Sequence, residues 1–245
     1  MLKSDLLAHI NRYHLSGLVE SVKWIVTEDK VKIKFLSQSN FTAGEIEFPF
    51  IEVGDSMTLP EEIAIFSTSS LIKLLSIMGE EIDISFEKEH GIWMKMNVTD
   101  GIYEASFSLA DTSKIPQPPD VESPTAYELT LPIDKEFKDQ FTKAFKAVGS
   151  IDRFTVEVAK EIKFTVGNKE SYANKISFKK TTDDHLPLRK MAFSGEALFE
   201  ILKNNPDLSD SLLEIADVGG TGFMQITVYG GTDRVIYYLV ELDEV

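Results

Sequence analysis

The sequence predicts an α+β protein of two similar domains, each carrying two amphipathic helices against antiparallel sheets. Three observations carry that prediction. One helix start is written twice: "FSTSSLIKLLSIM" begins at Phe66 and "FSGEALFEILKNN" at Phe193, 127 positions apart in a chain of 245. The order helix, strand, strand, strand recurs four times, with helix starts near residues 4, 68, 134 and 195. A proline-rich stretch then separates the two halves.

The elements follow from periodicity, taken in chain order. Residues 4–14 place Leu6, Leu7, Ile10 and Leu15 on one stripe, with Ser4 as the expected N-cap. Strands "GLVESVKWIV", "KVKIKFLS" and "TAGEIEFPF" follow, and "EIAIF" leads into the second helix, over 67–78. Beyond it "EIDISFE" alternates, with Ile82, Ile84 and Phe86 on one face. "GIWMKMNV" and "GIYEASFSL" each open on a turn glycine, as in an antiparallel meander. Residues 110–128 hold four Pro among Ser and Asp, which neither a helix nor a central strand accommodates. They read as a semi-rigid extended linker, and the domain boundary is placed near 122, giving domains 1–122 and 123–245.

The second half repeats the plan. "AYELTL" leads into a helix over 134–147 that puts Phe137, Phe141, Ala144 and Phe145 on one face, capped by Asp134. Strands "RFTVEVAK", "EIKFTVG" and "NKISFKK" come next. "RKMAF" leads into the fourth helix, 195–205, and "SLLEIAD", "GFMQITVYG" and "DRVIYYLVEL" close the chain. Repetition at this period signals one structural unit used four times.

Composition narrows the function classes. There is no Cys, which excludes disulfides, cysteine metal sites and thiol catalysis, and fits a cytoplasmic protein. The N-terminal "MLKSDLLAHINRYH" is interrupted by Asp5, His9 and Arg12, so a signal peptide is not expected. No apolar run approaches the roughly 18–20 residues a membrane span needs. The net charge of −15 favours solubility and disfavours casual contact with nucleic acid. No catalytic signature stands out. His9 and His14 are five apart, the wrong spacing for a helical metal pair. "TDDHLP", with Asp183, Asp184 and His185, reads as a solvated turn. "GGTGF" and "YGGTDR" lack the Gly-Lys-Ser/Thr of a phosphate loop and read as hairpin turns. There is no Gly-x-Ser-x-Gly elbow. No cofactor and no metal is expected.

Three places, the helix "SSLIKLLSIM" with the following "EIDISF", the linker "SLADTSKIPQPP" and the closing hairpin "GFMQITVYGGTDRVIYYLVELDEV", give the chain the layout of a known family. It resembles the sliding clamps that encircle duplex DNA, and in length and domain number the T4-type bacteriophage clamps that close as trimers. The resemblance covers nearly the whole chain as layout and only slightly as letters. It implies the sliding-clamp fold and a non-catalytic processivity factor. It also implies a homotrimeric ring on double-stranded DNA, a DNA polymerase as partner, an ATP-dependent clamp loader, and a possible link to the transcription machinery. For a phage protein the location would be the host cytoplasm.

The helices would then line a hole and present cations to phosphate without reading sequence. The four predicted helices together carry a net charge of +1, leaving −16 for the rest of the chain. Outside the apolar stripes fall Arg12, Lys73, Lys138, Lys143, Lys146 and Lys203, the expected DNA-facing residues; the bland reading is ordinary solvated lysines. Family layout assigns ring closure to the edge strands "IYEASFSL" (102–109) and "NKISFKK" (174–180), and a partner-peptide pocket to Ile115, Pro116, Val121, Leu242 and Val245, beside the linker and C-terminus. The alternative is a monomeric α+β ligand-binding domain or enzyme with an apolar cavity, suggested by 16 Phe and 7 Met. An acidic DNA mimic would need its carboxylates in rows on one face, whereas here they are scattered.

Overall fold

The computed structural model describes residues 1–27, 30–49, 60–149, 152–167, 173–181, 185–230 and 233–242. Val245, Asp183, Asp184, Gly231 and Thr232 lie outside them. The chain divides into two units, Met1–Gln38 with Gly44–Pro119, and Ser39–Ala43 with Asp120–Val245. The break after Pro119 lies in the proline-rich stretch, three residues before the expected 122.

In the first unit α1 (Lys3–His14) is followed by β1 (Val22–Val26), β2 (Lys30–Leu36), β3 (Thr42–Pro49) and β4 (Glu62–Ile65), in the sheet order β4-β1-β2-β3. Then come α2 (Thr68–Ser76), β5 (Asp83–Glu89), β6 (Ile92–Thr99) and β7 (Glu104–Ser108), the three strands forming an antiparallel meander. β2 alternates buried Val31, Ile33 and Phe35 with outward Lys30, Lys32 and Lys34, the signature of a sheet covered on one face. α1 does the covering: Tyr13 meets Phe35, and His9 stacks on Phe48 at 4.1 Å.

The second unit repeats this order. β8 (Leu129–Pro132) and α3 (Lys135–Val148) precede β9 (Arg153–Val158), β10 (Ile162–Gly167), β11 (Lys175–Lys180) and β12 (Leu188–Ser194). These last four pair as β11-β10-β9-β12. α4 (Gly195–Asn204) leads to β13 (Leu212–Val218), β14 (Thr221–Gly230) and β15 (Asp233–Val240), which pair with β8 in the order β15-β14-β13-β8. The core here is aromatic. Phe137 packs edge-on against Phe164 and Phe178, Phe141 against Phe154, and Phe154 meets Phe193. Such edge-to-face pairs satisfy the ring quadrupoles while removing large apolar areas from water. "GGTGF" forms the β13–β14 turn, where Gly219 and Gly220 take φ of 61° and 90°, the left-handed pair a tight hairpin requires.

Among the described residues, three of the four α-helix starts are capped by side chains. Ser67 Oγ accepts from Ser70 N–H, Asp134 Oδ1 from Phe137 N–H at 2.6 Å, and Ser194 Oγ from Ala197 N–H at 3.2 Å. The duplicated Phe-Ser is therefore a duplicated cap. Its Phe is not equivalent in the two copies: Phe193 is fully buried, whereas Phe66 is 69% exposed. The expectation for Ser4 is corrected. α1 begins at Lys3 after an uncapped Leu2, and Ser4 lies inside the first turn, its N–H donating to Glu80 Oε1. Leu15 is not on the α1 stripe either. It ends the helix in the left-handed conformation, φ 47°, a place usually given to glycine, and its complete burial offsets the cost.

Candidate nucleic-acid interface

Each helix buries one stripe, and the residue two positions after a fully buried stripe residue lies about 200° round the axis, nearly opposite the core. Ile10, Leu71, Phe141 and Ile201 are each 0% exposed. Two positions on stand Arg12, Lys73, Lys143 and Lys203. Lys73, Lys143 and Lys203 are exposed at these places and Arg12 is half-buried, while the same offset from Phe137 and Leu198 gives the exposed Asp139 and the buried Glu200.

In the first unit a polar cluster fixes α1 against α2. His14 Nε2 lies 3.0 Å from Ser69 Oγ and 3.3 Å from Glu20 Oε1. Glu20 Oε2 accepts from Ser69 N–H at 3.0 Å, and the Glu20 carbonyl accepts from both the N–H and the hydroxyl of Thr68. Burial pushes the Glu20 carboxyl up, but these donors outweigh it and hold the group below its ordinary value. His14 is thereby an interhelical strut. Lys73 is exposed, with Ser69, Ser70 and Ser76 beside it on the face away from Leu71 and Leu75. Arg12 is half-buried.

In the second unit α3 and α4 are joined by the stacked rings of Phe145 and Phe199, 4.2 Å apart and 7° from parallel. Asn205, just past α4, is buried and donates to the Ile201 carbonyl and the Tyr237 hydroxyl, both at 2.8 Å. Lys143 and Lys146 are exposed, as is Lys135 on the same side of α3. Lys138 differs. It sits on the flank toward α4, half-buried, and its ammonium donates to the Asn205 carbonyl at 3.2 Å. Lys203 is exposed but bound to Glu200, a carboxylate only 7% exposed, at 3.0 Å. Three exposed lysines, Lys135, Lys143 and Lys146, share one side of α3. Acidic groups also lie on strand faces: Asp83, Glu87 and Glu89 point outward from β5, and Glu45 and Glu47 pair with Lys30 and Lys32 across β2 and β3.

The residues expected to form a partner pocket do not share one environment. Ile115, after a short 3-10 turn over Thr112–Lys114, is only 4% exposed and packs in the first unit. Pro116 is exposed. Val121 and Leu242 are half-buried in the second unit, and the Leu242 N–H donates to the Ala192 carbonyl at 2.8 Å. The end of the described chain is secured by a feature that sequence reasoning missed. Arg189 reaches Glu241 with two N–H groups at 2.7 and 2.6 Å, Asp217 at 2.9 Å and the Gly220 carbonyl at 2.7 Å.

β7 and β11 are edge strands, each hydrogen-bonded to one neighbour within its unit. β7 carries Glu104, preceded by Ile102 and Tyr103 at 85% and 52% exposure. β11 carries Lys175, Lys179 and Lys180 and the exposed Ile176. Lys180 bridges back to Asp134 and Glu136 at the start of α3. No helix among the described residues is long and apolar enough to cross a membrane.

No protein-family model and no curated protein matches this chain. Solved structures do match. The chain is similar to the PCNA of A. fulgidus, in a structure with the C-terminal region of FEN-1 bound, with a TM-score of 0.68, 19% identity and coverage of 100% of this chain and 98% of that one. It is similar to the PCNA of Thermococcus kodakaraensis with a TM-score of 0.66, 16% identity and coverage of 99% and 98%. The fold is that of the sliding clamps, over nearly the full length of both chains.

Proposed function

We propose that this protein is a DNA sliding clamp, a non-catalytic processivity factor that closes as a homotrimeric ring around duplex DNA and tethers a replicative polymerase. The observation that carries the reading is that Lys73, Lys143 and Lys203 stand exposed on three helices, away from their fully buried stripe residues, in a chain with the clamp fold. Cations spread over several helices bind phosphate at any sequence, and weakly enough for the protein to move along the duplex. Ring closure is assigned to β7 and β11. The apolar side chains beside these edges would be buried by strand addition. An ATP-dependent loader would open the ring. The T4-type layout extends the reading to a phage protein in its host's cytoplasm, with a possible second role in transcription. The matched A. fulgidus clamp holds a terminal region of another protein, and by analogy partners would dock a short peptide on this chain.

Absolute mass by light scattering behind gel filtration tests the reading. The expected species is near three times 27.5 kDa. It should then stay on closed circular DNA after loading and leave when the circle is cut. A single-chain mass that persists at high concentration rejects the ring and favours the monomeric alternative.

A further inference from the structure

A cavity of about 480 Å³ opens between the start of α3 and the loop after α4. Ile133, Pro206 and Leu208 give it apolar wall, and Lys138 lines it. We propose that Lys138 is an acyl-acceptor site, at which a small uncharged acyl thioester modifies this lysine in preference to the others on α3. The inference is independent of the clamp reading.

The geometry supplies what amine acylation needs. The Lys138 ammonium is held at 3.2 Å by the Asn205 carbonyl, which fixes the side chain at the cavity edge. Burial pushes the group below the ordinary lysine value, so more of it is the free amine, while the nearby Asp139 carboxylate pushes the other way. The charged groups facing it are Asp134, Lys135 and Asp139 of α3 and Asp207 of the loop. Asp134 is engaged by Lys180 and the Phe137 N–H, and Asp207 by Ser209. Three carboxylates against one further lysine disfavour an anionic donor, hence an uncharged one. In the step, the Nζ lone pair attacks the thioester carbonyl carbon. The C–N bond forms, the C–S bond breaks, sulfur leaves with the electron pair, and the proton lost from nitrogen ends on the thiol. The product amide carries no charge, and its remaining N–H can still reach Asn205.

The full chain is treated with limiting S-acetyl-N-acetylcysteamine, and acetylation at Lys135, Lys138, Lys143 and Lys146 is followed by peptide mass spectrometry. Lys138 is expected to react severalfold faster than Lys143 and Lys146. Asp139→Asn, a change at an exposed position, should speed Lys138 further and leave Lys146 unaltered. In denaturant the four rates should converge. The proposal is overturned if Lys138 reacts no faster than the exposed lysines, if Asp139→Asn leaves its rate unchanged, or if the preference survives unfolding, which would trace it to local sequence rather than to the cavity.

Discussion

Replacing Lys73 and Lys143 together by Ala tests whether the helix faces meet phosphate. Both side chains are exposed and lie opposite fully buried residues, so truncation removes charge without touching the core. Each lysine that neutralises a phosphate should, when removed, make the slope of log affinity against log salt shallower by about 0.9. Between about 50 and 200 mM salt, that slope change corresponds to roughly a threefold smaller fall in affinity per phosphate. The assay is fluorescence anisotropy of a labelled duplex across that range. Lys203→Ala should change the slope less, because its ammonium already pairs with Glu200 at 3.0 Å. Lys95→Ala, on the three-stranded sheet and 3.5 Å from Glu87, should leave it unchanged. An unaltered slope in the double variant, or an equal change from Lys95→Ala, would refute the assignment of these faces to DNA.

Two further outcomes concern the fold that carries the site. Ser194→Ala should cost about 1 kcal/mol in urea unfolding, whereas Ser4→Ala, inside a first turn rather than at a cap, should be near neutral; equal effects would contradict the cap geometry. Burial would raise the Glu241 carboxyl, but Arg189 and the Gly222 N–H outweigh it and hold the group below its ordinary 4.5. A lowered folded value contributes stability that is present above 4.5 and is lost as pH falls through the folded value. Glu241→Gln should therefore lower the urea midpoint at neutral pH and flatten its fall below pH 4.5; a parallel acid response would remove Glu241 from that role.

Much of the architecture was legible in the chain because it rests on local rules. The four helices come from apolar residues at helical spacing, and the strands from alternation as regular as Val31, Ile33 and Phe35. The linker comes from prolines that neither helix nor sheet can hold. The basic helices were visible as a charge balance. What remained hidden depends on interactions between residues far apart in sequence. Nothing around Ser4 says that Glu80, 76 positions away, would take its N–H, so the cap was misplaced. Ile115 looked like a linker residue until packing buried it. Lys138 and Lys143 are equally basic and equally helical in the sequence. The tertiary structure separates them, because α4 ends beside one and leaves the other in solvent. Periodicity fixes which face of a helix is wet. Only the neighbouring element decides which wet lysine is committed to a carbonyl and which remains available to a partner.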